Sequence, residues 1–323
     1  MLHLTIKNMA VIALDLGGTK LSGAIFEPDG TMVDRTVLSL EKRVGDEVGK
    51  LIQDLINNLM NIAVTRGKAI NSVACCVPGI AFSGSGRVWA PNISGWDDYP
   101  LLERIRTAID DTAIGVVIDN DRACSILGEA WKGNAKGCSD AIFLAVGTGI
   151  GAGIMINRNI LRGSRDVAGA IGWLALDRPY QEKYIRCGCF EYHASGEGLS
   201  AVALEMIRDN PGYEGMLRYG ELTAHTIFEA YGGGDEIGLE VVNQAIGYWG
   251  MAVANLVSLF NPEKIIFGGG VFGPASRFLD DIMLEARKWS QPVSIGQVKL
   301  QSSLLGADAG LYGAAFLALK GKT

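Results

Sequence analysis

Two stretches of this chain repeat one pattern: a short apolar run, a tight glycine turn and a second apolar run. The first is Val11 to Leu14, then Asp15-Leu16-Gly17-Gly18-Thr19-Lys20, then Leu21 to Phe26. The second, about 130 positions later, is Ala141 to Val146, then Gly147-Thr148-Gly149-Ile150-Gly151-Ala152-Gly153, resuming as a strand over Ala152 to Ile156. Short apolar runs bounded by glycine read as buried strands. The same supersecondary unit used twice constrains the chain to two related halves. It also decides against a Rossmann dinucleotide site for Gly147-x-Gly149-x-x-Ala152, because that fingerprint needs a helix after the glycines and here a second strand follows.

Such turns have a chemical use. Adjacent glycines let main-chain N–H groups converge on an anion with no Cβ in the way, so a glycine turn directly after a strand is a phosphate cradle. Asp15 ends the first strand where a carboxylate holds Mg²⁺ directly or through water, since that ion prefers oxygen ligands and keeps several waters. Thr19 and Lys20 offer a hydroxyl and a positive charge to phosphate oxygens. A plain β-hairpin accounts for the first loop on its own; the two readings are compatible, because the turn is the cradle. The pair of loops points to a nucleotide held between them. A third glycine run, Gly268-Gly269-Gly270, follows a strand over 264–267 and suits a flat adenine ring.

The remaining elements alternate. Strands are expected over 11–15, 22–27, 31–38, 72–77 and 116–118, and helices over 45–66, 122–132 and 237–260, the first of these with Val48, Leu51, Ile52, Leu55, Leu59 and Ile62 at three- and four-residue spacing. Pro78-Gly79 makes a turn after one strand, and Trp89 to Trp96 is a loop with two aromatics. Asp119-Asn120-Asp121 ends another strand, at the carboxyl edge where open α/β sheets bind ligands. The closing run, Leu305 to Ala315, has small residues at helical spacing that permit close backbone packing.

Composition narrows the partners. A chain of 323 residues with 48% hydrophobic and 20% charged residues is expected to form two domains with large cores. A net charge of −6 argues against a nucleic-acid surface, which needs clustered Lys and Arg. No window approaches 18 uninterrupted apolar residues and no cleavable leader is legible, so a cytoplasmic protein away from membranes is expected. The six cysteines, two of them in Val73-Ala74-Cys75-Cys76-Val77, read as buried thiols.

With these residues in view, the chain resembles the ROK family (repressors, uncharacterised frames and sugar kinases), within the actin-like ATPase superfamily that also contains hexokinases. The resemblance spans Val11 to Ala315 and rests on the Asp15–Lys20 loop, Pro91-Asn92, Asn120-Asp121, the Gly147–Gly153 loop, Ala168-Gly169 onward, Glu191 with Ala194-Ser195-Gly196, Gly268–Gly270 and Ala309-Gly310. It implies a two-lobed α/β fold of the actin-like, ribonuclease H-like type, with duplicated mixed-sheet domains and an interdomain cleft. Residues 1–119 with 305–323 would form one lobe and 120–304 the other. It further implies an ATP- and Mg²⁺-dependent kinase of hexoses or amino sugars, and a homodimer. Asp121 would be the catalytic base, with Gly79, Asn92, Asn120 and Glu191 on the sugar side. Chemistry supports Asp121 on its own terms, because phosphoryl transfer to an alcohol needs positioning, charge neutralisation and a carboxylate to take the proton. Its alternative is a helix N-cap, a common use of Asp before a helix.

Two departures bear on the substrate. Relatives carry Glu where Ala170 stands and His where Trp173 stands, both contacting sugar hydroxyls near C1 and C2. That His is also a zinc ligand, completed by three Cys. Aligned from Glu191, only Cys189 and Gly188 match, Tyr184 and Glu182 take the other ligand positions, and Cys187 falls out of register, so no structural zinc is expected. An unmodified hexose loses charge-assisted hydrogen bonds worth roughly 1.5–3 kcal/mol each, which points to a sugar altered at C1 or C2, or to another polyol, in place of glucose. Trp173 either stacks on a pyranose face or fills the vacated zinc site as core. His193 either reaches the sugar or is structural; Trp89 and Trp96 line the cleft mouth or the core; Arg87 and Arg122 are further candidates near the site. Two other classes are weighed: a transcription regulator, which needs a helix-turn-helix where only about ten residues precede the first strand, and a non-catalytic descendant that binds sugar or nucleotide.

Overall fold

A computed structural model describes residues 9–321. Two compact units divide the chain: Met1–Lys136 with Arg162–Ala168 and Ala307–Thr323, and Gly137–Leu161 with Gly169–Gly306.

In the first unit, β1 (Met9–Leu16), β2 (Lys20–Phe26) and β3 (Met32–Ser39) form an antiparallel meander. Helix α1 (Asp46–Thr65) follows, and β4 (Ala69–Val77) returns parallel to β1. A hairpin of β5 (Ile80–Phe82) and β6 (Arg87–Trp89) and a short helix α2 (Leu101–Thr107) lead to β7 (Gly115–Asn120), parallel to β4 and running directly into α3 (Asp121–Lys132). The sheet order is β3-β2-β1-β4-β7.

The second unit repeats this plan. Strands β8 (Ala141–Val146), β9 (Ile150–Ile156) and β10 (Asn159–Ile160) form the meander. Helices α4 (Cys189–Ala194), α5 (Gly196–Asp209), α6 (Ala224–Gly232) and α7 (Glu236–Phe260) follow. Then β11 (Lys264–Gly268) lies parallel to β8, and after α8 (Leu279–Trp289) and α9 (Pro292–Gln297), β12 (Lys299–Ser302) lies parallel to β11. The order β10-β9-β8-β11-β12 matches the first sheet strand for strand. The chain ends in α10 (Ala309–Lys320), back in the first unit.

Period-two alternation explains the layering. In β1, Ile12 and Leu14 bury against Ile52, Leu55 and Leu59 of α1, while Val11 and Ala13 bury against Leu311, Ala314 and Ala315 of α10. A strand covered on both faces has no polar side, which is why 11–14 reads as one apolar run. In the second unit Ile142, Leu144 and Val146 of β8 share a core with Val241, Trp249 and Val253 of α7. Helix α7 stops at Asn261, whose φ of 43° is left-handed and which precedes Pro262.

The division differs from the one expected from the sequence. It falls after Lys136 and not after 119, so α3 belongs with the first unit, and the tail joins at Ala307 and not at 305. The reason is a backbone-to-backbone contact between α3 and α10. A Cβ at Gly313 would stand 1.8 Å from the Cys124 carbonyl oxygen, and one at Gly128 would stand 2.2 Å from that of Ala309. Only glycines admit that approach. The stretch 162–168 also groups with the first unit although its neighbours on both sides do not. Among the described residues no helix is long and apolar enough to cross a membrane.

Candidate active site

The β1–β2 turn carries the first glycine loop. Gly17 N–H donates to the Lys20 carbonyl at 2.9 Å and closes it, leaving Gly18, Thr19 and Lys20 exposed. A Cβ on Gly18 would meet nothing within 4 Å, and its φ is not left-handed. Neither packing nor conformation calls for glycine there. Asp15, one turn earlier and partly buried, lies against α10: a Cβ on Gly310 would come within 3.0–3.1 Å of its carboxyl atoms. Burial, opposed by a hydrogen bond from the Cys76 thiol and reinforced by the charge of Asp121, pushes the Asp15 carboxyl up to about 6.

The end of β7 arranges three consecutive polar residues differently from one another. Asp119 is buried at 1% exposure, and its carboxylate accepts from the Asn120 N–H at 2.8 Å and from both terminal nitrogens of Arg162 at 2.8 and 2.6 Å. Asn120, also buried, caps α3 by accepting from the Ala123 N–H at 2.9 Å. The cap is therefore Asn120 and not Asp121. The Asp121 carboxylate accepts from the adjacent Arg122 N–H at 2.9 Å, and its side chain is 50% exposed. Desolvation by surrounding protein raises its pKa above the ordinary carboxylate value, with Arg122 opposing. Arg122 reaches across to the Gly79 carbonyl at 3.2 Å, so Gly79 is tied to the Asp121 turn.

The other candidates of this unit separate. Asn92 is exposed in the loop closed by Ala90 N–H and the Trp96 carbonyl. Trp96 is core, 1% exposed, stacked on Tyr99 with its indole N–H on the Gly45 carbonyl at 3.0 Å, while Trp89 is exposed. Arg87 pairs with Asp98 at 2.7 Å.

In the second unit one cavity of about 650 Å³ gathers Gly147, Thr148, Gly196, Glu197, Ser200 and Gly270. The two loops meet there because β8 and β11 are neighbours, and Gly269, with φ 89°, would place a Cβ 2.3 Å from the Val146 carbonyl oxygen. Gly196 N–H donates to the Gly147 carbonyl at 2.7 Å, which seats the start of α5 beside the loop. Gly270, like Gly18, would carry a Cβ into open space. A Cβ on Gly268 would meet the Phe143 ring at 2.3 Å and one on Gly149 the Glu191 carboxylate at 2.7 Å. Glu197, Ser200 and Thr223 also line this cavity and were missed in the sequence, since no motif marks a cavity wall contributed by two helices.

Glu191 braces the loop: its carboxylate accepts from the Ile150 N–H at 2.5 Å, and Gly149 and Gly172 would each place a Cβ within 2.7–2.8 Å of it. Burial raises its pKa. Ala170 precedes a single 3₁₀ turn, Ile171–Trp173. Trp173 is 58% exposed, so it does not fill a core. Further along, His193 stacks on Tyr248 at 4.4 Å and shares a 2.9 Å hydrogen bond with the buried Tyr184 hydroxyl. His193 is buried, and burial lowers its pKa. Among the described residues no three His, Cys, Asp or Glu side chains converge as a metal-binding group.

Comparison with known proteins agrees with this architecture. The chain is 30% identical over 313 residues to the glucokinase of Halalkalibacterium halodurans, covering 95% of this chain and 94% of that one. It is 28% identical to the xylose repressor of Caldicellulosiruptor bescii, covering 93% of this chain and 77% of that one. Among solved structures, a ROK family glucokinase from Streptomyces griseus in complex with glucose and AMPPNP superposes with a TM-score of 0.74 at 27% identity, covering 97% of this chain and all of that one. The ROK family profile matches residues 11–321, and the chain belongs to the ROK family.

Proposed function

We propose that this protein is an ATP-dependent sugar kinase in which Asp121 accepts the proton of the hydroxyl to be phosphorylated. The observation that carries the reading is the division of labour at the end of β7. Asn120 takes the helix cap, so the Asp121 carboxylate is left half exposed and with a raised pKa. As that carboxylate takes the proton, the sugar oxygen forms its bond to the γ-phosphorus and the bond to ADP breaks; a positioned base contributes roughly 10²–10⁴-fold. The cavity holding Gly147, Thr148 and Gly270 falls in the size range of small-molecule sites and takes the nucleoside end of ATP, with Gly17, Gly18, Thr19 and Lys20 on its phosphates. The similarity to kinases, one of them solved with AMPPNP, supports the same reading.

Asp15 fits a Mg²⁺ ion: it is an oxygen donor whose carboxyl is held protonated up to about pH 6 by burial, a state that a divalent cation reverses. Bound there, the ion would neutralise phosphate charge. Asn120 and Glu191 contribute to the sugar side, together with Gly79 and Asn92. Ala170 and the exposed Trp173 support a sugar altered at C1 or C2, with the indole facing the sugar.

Incubation with ATP·Mg²⁺ and a panel of sugars, read as ADP release, tests the reading with Asp121→Asn as control. Sugar-dependent release that the substitution abolishes is expected. No sugar-dependent release sinks the kinase reading in favour of a non-catalytic sugar- or nucleotide-binding protein, a reading that the similarity to a repressor favours. Glucose as the best substrate overturns the C1/C2 assignment alone.

A further inference from the structure

Arg162 belongs to none of the motifs above, yet it makes the shortest charged fork in the first unit. Its two terminal nitrogens grip the two carboxylate oxygens of Asp119 at 2.8 and 2.6 Å. Asp119 in turn accepts from the Asn120 N–H, and Asn120 caps the helix whose first residue is Asp121. One unbroken chain of contacts thus runs from Arg162 to the residue that orients Asp121.

The backbone is arranged to deliver this guanidinium. Residues 162–168 group with the first unit although residues 161 and 169 do not. The far end of the excursion is tied down as well, where Asp166 accepts from the Ser83 N–H at 3.0 Å and from the Ser83 hydroxyl at 3.1 Å. Within it, the Ala168 N–H donates to the Arg162 carbonyl at 3.0 Å. A buried ion pair adds little net stability over an apolar pair, because desolvation consumes the Coulombic gain; what it supplies is fixed geometry. A planar bidentate fork supplies more of that than a lysine can.

We infer that Arg162 is a positioning residue for Asp121, acting through Asp119 and Asn120. The inference rests on the reading of Asp121 as the proton acceptor. It assigns Arg162 no contact with sugar or nucleotide.

Steady-state kinetics with ATP·Mg²⁺ and the best sugar of the panel test it on Arg162→Ala, Arg162→Lys, Asp121→Asn and the double variant Arg162→Ala/Asp121→Asn. Arg162→Ala should lower kcat about 30-fold and leave the KM for ATP within about twofold, since only the proton acceptor is misplaced. Arg162→Lys should recover part of that loss, keeping the charge without the fork. In the Asp121→Asn background, Arg162→Ala should change the residual rate less than about twofold, because two groups acting as one are not additive. If Arg162→Ala does not fold, judged by circular dichroism and AMPPNP binding, Arg162→Lys carries the test, with a kcat about 3–10-fold below the parent at unchanged KM. Parental kcat in Arg162→Ala or in Arg162→Lys overturns the inference, and so does an equal fall in the Asp121→Asn background. An inactive Asp121→Asn beside such a result leaves the base reading standing; an Asp121→Asn at parental rate overturns both.

Discussion

Asp15→Asn should make the metal-free protein more stable, by an amount that grows with pH. Burial holds the Asp15 carboxyl at about 6 in the folded chain, against 3.8 for the free group. A group whose pKa is raised on folding favours the folded state only while protonated; that contribution is whole below the unfolded value and is lost as pH rises through the folded one. Applied to these two values, ionisation of Asp15 weakens the fold by about 1–2 kcal/mol at pH 5 and about 3 kcal/mol at pH 7.5. Asn does not titrate. The stability gap between variant and parent should therefore widen by about 1 kcal/mol between pH 5 and pH 7.5, or about 2–4 °C in Tm for a unit of this size. Loss of the Cys76 hydrogen bond adds an offset but no slope. Urea titrations and melts in EDTA at several pH values in that interval measure the gap. A gap that stays level, or narrows as pH rises, refutes the account of Asp15 as a carboxylate whose burial is tolerated for its use. Activity of the same variant should collapse, the usual opposition of stability and function at such a residue.

Three further expectations separate glycines and aromatics that serve the fold from those that serve a ligand. Gly18→Ala, with open space for its Cβ, should leave Tm unchanged or slightly raised while the KM for ATP increases several-fold, whereas Gly269→Ala, at φ 89° and 2.3 Å from a carbonyl oxygen, should lose more than about 1 kcal/mol in denaturant titration. Gly313→Ala drives a methyl to 1.8 Å from the Cys124 carbonyl, a backbone atom that cannot turn aside; separation of α3 from α10 should cost about 1–3 kcal/mol and depress kcat, since α3 begins at Asp121. Trp173→Ala should shift stability by less than about 0.5 kcal/mol, being 58% exposed, and raise the KM for the sugar with the KM for ATP unaltered, as measured by the same ADP-release assay.

The legible part of the fold was the part with strong periodicity. Apolar strands at 11–14 and 141–146 and the long helix ending before Pro262 are each visible because one face or both are buried along their whole length. The hairpin at 80–89 and the short helices after Cys189 were not, since elements of three to nine residues give too few repeats of either period. The same limit applied to the site. Asp15, Gly18, Gly147 and Gly270 stood out by type and spacing, while Arg162, Glu197 and Ser200 did not, because an isolated Arg, Glu or Ser carries no pattern until folding gives it neighbours.

The sequence by itself determined that this chain is built twice from one strand–glycine turn–strand unit and that it belongs to the ROK family; local residue type and spacing carry both. Only the tertiary structure decided that Asn120 and not Asp121 caps α3, that Trp173 is exposed, and that Arg162 anchors Asp119. The Asp119–Arg162 fork joins residues 43 positions apart, which no short window contains, while the cap is local and turns on which of two adjacent side chains folding directs to the Ala123 N–H.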